Sequence, residues 1–135
     1  FVVHVNKEIV KMANEFQEKG ISFIAISSND IKNYPADNPK KMSDTVINEK
    51  YTFPYLYDET QQVAKNYDAA CTPDFYIFDS NKKLIYRGQL DDSRPGNNIP
   101  LSGSDIRTVF NCVLESKEIT LNQKPSIGCN IKWID

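Results

Sequence analysis

The chain has 135 residues, a length that suits one domain built on one core. Its 40% apolar and 25% charged content is that of a folded globular domain and excludes wholesale disorder. A formal net charge of -2 with interspersed acids and bases excludes the basic face of a nucleic-acid binder, and no apolar run approaches the length of a membrane span.

In chain order, residues 5–19 read as a helix. Val5, Ile9, Met12, Ala13 and Phe16 recur at helical spacing, and Gly20 supplies the stop. Residues 22–27 (Ser-Phe-Ile-Ala-Ile-Ser) form the short continuous apolar run of a parallel strand buried on both faces. Asn38-Pro39 is an N-cap followed by proline at the first helical position. The helix after it runs to about Lys50, with Met42, Val46 and Ile47 as its inner face. Residues 53–57 read as a short strand or extended segment. Asp58-Glu59-Thr60-Gln61 then reads as a capping box, Asp58 serving backbone N–H groups and Gln61 reaching back, ahead of a helix with Val63, Ala64 and Tyr67 on its apolar stripe.

The clearest signal is residues 74–88. Two β-prone runs around Ser80-Asn81-Lys82 predict an antiparallel hairpin. A loop rich in Gly, Pro and Asn fills residues 89–103, and Ser104 caps a last helix with Ile106, Val109, Phe110, Val113 and Leu114 on one face. Residues 118–135 lack periodicity and are expected to lie as a tail over a domain of residues 1–117. Strands separated by helices argue for parallel pairing with an antiparallel hairpin at the edge, a mixed α/β sheet with helices on both faces. The first helix has no strand to feed it, so the architecture reads as missing its opening element. The chain starts Phe1-Val2-Val3-His4 without an initiator Met, and an upstream segment is expected.

Three cysteines, Cys71, Cys112 and Cys129, are an odd number and make no disulfide framework. Reduced or catalytic thiols in a reducing compartment fit better, and a cytoplasmic location is the expectation. Their spacing, with His4 the only histidine, supports no metal site. No phosphate-cradling glycine pattern is present.

Residues 70–79 (Ala-Cys-Thr-Pro-Asp-Phe-Tyr-Ile-Phe-Asp) and 83–88 (Lys-Leu-Ile-Tyr-Arg-Gly) resemble the cis-proline strand and following hairpin of thioredoxin-like proteins. More narrowly, they are similar to the redoxin group of the alkyl hydroperoxide reductase/thiol-specific antioxidant (peroxiredoxin-like) family. Residues 23–29 resemble that family's second core strand, and residues 88–97 and 124–133 resemble segments of a bacterial subgroup. The resemblance implies a thioredoxin-like α/β fold. It also implies a nucleophilic cysteine in a Cys-Pro pair just ahead of Phe1, which this sequence does not contain. There it departs from the family pattern at its most consequential point.

The implied chemistry has a physical basis. Disulfide exchange needs a thiolate, and a helix N-terminus offers unpaired N–H groups and a positive dipole end. The resemblance makes Pro73 a cis proline facing that helix end, with Thr72 and Pro73 holding the substrate side of the cleft and their peptide groups free to pair with a substrate chain. Cys71 is either a small buried hydrophobe or a resolving thiol for the upstream cysteine; the latter requires it to face Phe1. Cys112 reads as packing and Cys129 as structural or an accessory thiol. His4 is read as an ordinary first-turn residue, with thiol tuning as the alternative. Asp91, Asp92 and Arg94 either shape a substrate mouth or, by default, pair and solvate a surface.

The implied function is a thiol-dependent oxidoreductase acting on a protein disulfide or a peroxide, antioxidant in the latter case. Partner thiols are the electron donor, and no bound cofactor, nucleic acid or membrane is involved. A non-catalytic thioredoxin-fold binding module is the alternative. Nothing in the sequence specifies the oligomeric state.

Overall fold

The computed structural model describes all residues, 1–135. Helix α1 spans Val2–Gln17 and buries Val5, Met12, Ala13 and Phe16, the stripe read from the sequence, although it starts three residues earlier than predicted. Strand β1 (Ala25–Ser27) pairs in parallel with β2 (Tyr55–Tyr57). Between them lies α2 (Pro39–Asn48), with the Asn38 side chain accepting from Lys41 N–H at 2.9 Å and proline opening the helix. Helix α3 is Gln62–Asn66; β3 (Phe75–Phe78) and β4 (Leu84–Gly88) form the predicted antiparallel hairpin, and α4 is Ser104–Leu114.

The main core lies between α1, α4 and β4. Met12, Phe16, Tyr86, Leu90, Ile106, Val109 and Phe110 pack there, with Phe16 and Phe110 rings 4.9 Å apart. Arg107 of α4 clamps α1 by pairing with both Glu8 and Glu15.

Several expectations change in detail. Residues 22–27 do not form a strand buried on both faces: only three residues ladder, and Ile24 and Ile26 are exposed, because β1 finds a partner on one edge alone. No ladder joins β1–β2 to β3–β4, so the sheet is in two halves, one parallel and one antiparallel. Ile47 of α2 is exposed; Met42 is the residue that α2 buries. Val113 and Leu114 likewise reach solvent at the end of α4.

The two predicted caps are rewired. Asp58 does serve α3, accepting from Val63 and Ala64 N–H and from the Ser28 hydroxyl. Gln61, however, does not reach back to Asp58. It takes a left-handed backbone (φ 63°) and spends its buried amide on Ser28 and the tail. Ser104 does not cap α4 either; Gly103 occupies that place at φ 67°, where a side chain is disfavoured. Loop residue Leu90 supplies the acceptor instead, its carbonyl receiving Asp105 N–H at 3.2 Å.

The tail is pinned along its length as a strap. Lys124 O accepts from Gln89 N–H at 3.0 Å, and the Ser126 hydroxyl donates to Gly88 O, both at the end of β4. Farther on, Lys132 O accepts from Asp30 N–H at 2.7 Å, and Lys132 N–H donates to the Asn29 side chain at 2.9 Å, beyond the end of β1. Gln61 holds the same stretch from α3, donating to Lys132 O and accepting from Ile134 N–H. The strap therefore connects the two halves that the ladders leave apart.

Candidate functional site

Three segments meet at a cleft. The first turn of α1 brings Phe1, His4 and Val5; the segment entering β3 brings Pro73 and Phe75; the loop after β4 brings Gln89 to Asp91, Ser93 and Arg94. Ser126 and Ile127 of the strap close one side. Phe1 is the N-cap of α1 and its side chain makes no cap, so the first turn of the helix borders this cleft. The Thr72–Pro73 peptide is cis.

The loop's charged residues are not a solvated surface, and the default reading of them is corrected. Asp91 is buried at 2% exposure because its carboxylate organises the loop, accepting from the backbone N–H groups of Ser93, Ser102 and Gly103 at 2.7–2.9 Å. Arg94 Nη1 donates to the carbonyls of Asp91 and Ser93, and Nη2 donates to Gln89 Oε1 at 2.6 Å. Its Nε is buried with no partner, a donor held in the cleft wall. Only Asp92 matches the solvent-facing expectation, paired with Lys124 at 3.0 Å. A hydrogen bond from the Gln89 amide and contact with Lys124 hold its carboxyl below the usual range. His4 Nε2 and Ser93 Oγ share a hydrogen bond at 2.8 Å, joining the helix turn to the loop.

Of the residues singled out from the sequence, the structure brings Pro73 to the cleft but not Cys71. The Cys71 thiol is half-buried and lies 3.5 Å from Pro73 O. Burial, with help from the Asp74 carboxylate, pushes this thiol up, and Arg87 and Arg94 only partly offset that. Thr72 is not free to pair with a substrate chain. Its N–H donates to Cys129 O at 2.8 Å and its carbonyl accepts from Cys129 N–H at 3.0 Å, an isolated antiparallel bridge. Gly128 makes this close approach feasible: a Cβ there would press on the Thr72 carbonyl. Cys129 is thus placed beside the cis-proline segment and is exposed; Cys112 is half-buried on α4. No group of three or more His, Cys, Asp or Glu side chains converges as metal ligands.

Sequence reasoning undervalued Arg94 and Gln89. The signal was there in residues 88–97, whose likeness to a bacterial subgroup marked the loop, but nothing in their spacing tells a buried guanidinium from a solvated one.

The crossing of a helix N-terminus with a proline-entered hairpin, on a sheet of parallel and antiparallel pairs, defines a thioredoxin-like fold with a cleft where the two meet. Sequence comparison narrows this class: the profile of the AhpC/TSA family matches residues 4–87, and the chain belongs to that family. Two solved structures are similar over 99% of this chain with TM-scores of 0.97. One is an uncharacterized conserved protein from Geobacillus kaustophilus, 57% identical, of which this chain covers 71%. The other is a hypothetical protein from Sinorhizobium meliloti 1021, 43% identical and 73% covered. No curated protein matches the chain. The family is one of thiol-based redox proteins with thiol partners, and no helix here is long and apolar enough to cross a membrane.

Proposed function

We propose that the protein is a thiol-dependent oxidoreductase whose nucleophile is the cysteine of a Cys-Pro pair just upstream of Phe1, reacting in the cleft between α1 and Pro73. The observation that carries this reading is Arg94. A half-buried cation with one unspent N–H, fixed by three hydrogen bonds and lining the same cleft as the first turn of α1, suits an anion at that position. A thiolate there would be favoured by both.

With a hydroperoxide, the thiolate sulfur attacks the terminal oxygen and the O–O bond breaks. The sulfur becomes a sulfenic acid and the peroxide leaves as an alcohol or water. A second thiol then condenses with the sulfenic acid, releasing water and forming a disulfide, and partner thiols return the two electrons. With a disulfide substrate, the same thiolate displaces one sulfur through a mixed disulfide. Thr72 and Pro73 form the wall on the substrate side. Cys71 serves as the second thiol only after a movement that frees it from Pro73 O and brings it to the cleft.

The test uses the full-length protein with the residues that precede Phe1. Incubation with hydrogen peroxide and a sulfenic-acid trap should place the adduct on the cysteine before Phe1. Changing that cysteine to serine should abolish turnover, and Arg94→Met should slow it by about 100-fold, the usual scale for removing a positioned charge from a reacting centre. Peroxide and disulfide reduction that persist without that cysteine would refute the assignment. A protein inert toward both would leave the non-catalytic binding module as the better reading.

A further inference from the structure

An extended polypeptide docks on a fold of this kind by adding to a free backbone edge, since unpaired N–H and C=O groups are what a guest strand recognises. At Thr72 both groups are already spent on Cys129. The neighbouring contact is close: Gly128 lies directly on the Thr72–Pro73 peptide, with no space for a side chain between them. The strap is also held on both sides of this bridge, through Lys124 and Ser126 on one side and Lys132 and Ile134 on the other. Gln61, only 2% exposed, commits both ends of its amide to that outer anchor and to Ser28.

We propose that the strap determines substrate class: it occupies the strand-docking edge at Thr72 and restricts the cleft to small solutes, hydroperoxides or low-molecular-weight disulfides, closing it to protein disulfides. This rests on the redox reading of the cleft given above. Within the cleft the strap is confined to one side, where it supplies Ser126 and Ile127, while Phe1, Pro73 and Arg94 line the rest; the block therefore falls on the edge at Thr72 rather than on the cleft. The scale of the exclusion follows from tethering. An intramolecular strand competes at an effective concentration of about 1 mM or more, so a polypeptide at ~10 μM meets roughly 100-fold suppression of edge pairing.

The test again uses the full-length protein. Turnover of hydrogen peroxide and cystine is compared with reduction of insulin disulfides, and amide hydrogen exchange is followed at Thr72 and Cys129. The wild type should protect both amides and reduce insulin about 100-fold less efficiently than cystine. Two variants loosen the strap at different places: Gly128→Val at the bridge and Gln61→Ala at the outer anchor, the latter keeping the test alive should the former not fold. Each should expose the two amides and raise insulin reduction about 10-fold, with cystine and peroxide rates within about 2-fold of wild type. Insulin reduced as readily as cystine by the wild type would overturn the proposal, as would an unprotected Thr72 amide. So would variants that free Thr72 without any gain on insulin. Failure to act on peroxide, cystine and insulin alike, with Thr72 still protected, would instead sink the redox reading, and the substrate assignment would fall with it.

Discussion

Replacing Asp91 by asparagine probes the loop that builds the cleft. One carboxylate oxygen accepts from Ser93 N–H at 2.9 Å, and the other accepts from both Ser102 and Gly103 N–H at 2.8 and 2.7 Å. Asparagine keeps one oxygen, best used by the two N–H groups of Ser102 and Gly103. Its NH2 then faces Ser93 N–H, leaving two donors opposed in a buried place. Losing one charge-assisted bond costs about 1.5–3 kcal/mol, and the two that remain weaken from charged to neutral strength. The smaller desolvation of a neutral amide returns part of this, so the net loss is about 3 kcal/mol. With an m-value of about 1.5 kcal/mol/M, the urea midpoint should fall by ~2 M. Trp133, the only tryptophan, reports the transition by fluorescence. Asp92→Asn, at the exposed neighbour, is the control and should leave the urea midpoint nearly unchanged. A loss at position 91 no larger than that of the control would refute the view that this carboxylate organises the loop.

Other consequences are accessible with simple measurements. Because burial raises the Cys71 thiol, iodoacetamide at pH 7 should modify exposed Cys129 well before Cys71, whose labelling should accelerate only above the ordinary thiol pKa of about 8.5; peptide mass mapping reads the order. For Asp58, burial pushes the carboxyl up, but the Ala64 N–H, the Ser28 hydroxyl and the Val63 N–H outweigh it and hold it below the usual range. A depressed folded pKa contributes stability above the unfolded value and loses it as pH falls through the folded one. Asp58→Ala should therefore cost about 1–2 kcal/mol at neutral pH, with the gap to wild type closing in acid below about pH 4, as followed by urea melts across pH. Arg107→Ala strands the Glu8 carboxylate, whose side chain is only 9% exposed, whereas Glu15→Ala removes a more exposed partner. The first should destabilise by about 3 kcal/mol, and the second should move the midpoint far less in the same melts.

What the sequence disclosed depended on whether the information was periodic. The stripe of α1, the Asn38-Pro39 helix start and the hairpin around residues 80–82 were legible because local spacing alone dictates them. Residues 22–27 misled: an apolar run reports hydrophobicity, not the number of neighbours, and β1 gained one neighbour only. The capping box failed at Gln61 for a different reason. Local geometry allowed it to reach back, but Lys132 and Ile134, more than 70 residues away, offered better partners. In the site, the resemblance pointed to Pro73, while the occupation of Thr72 by Cys129 rests on a contact across 57 residues that no spacing rule encodes. Arg94 was visible as a charge, but its burial depends on Asp91 and Gln89 folding the loop around it.

The strap also fixes an order of events in assembly. The bond between Lys132 N–H and Asn29 spans 103 positions, so the end of β1 acquires one of its partners from a segment synthesised long after it. Contacts of such separation close late, after local elements have formed. Helices α1 and α4 and the β3–β4 hairpin can assemble beforehand, with Thr72 still bare. A nascent chain thus passes through a stage in which its strand edge is open to any neighbouring polypeptide, and arrival of the strap ends that exposure.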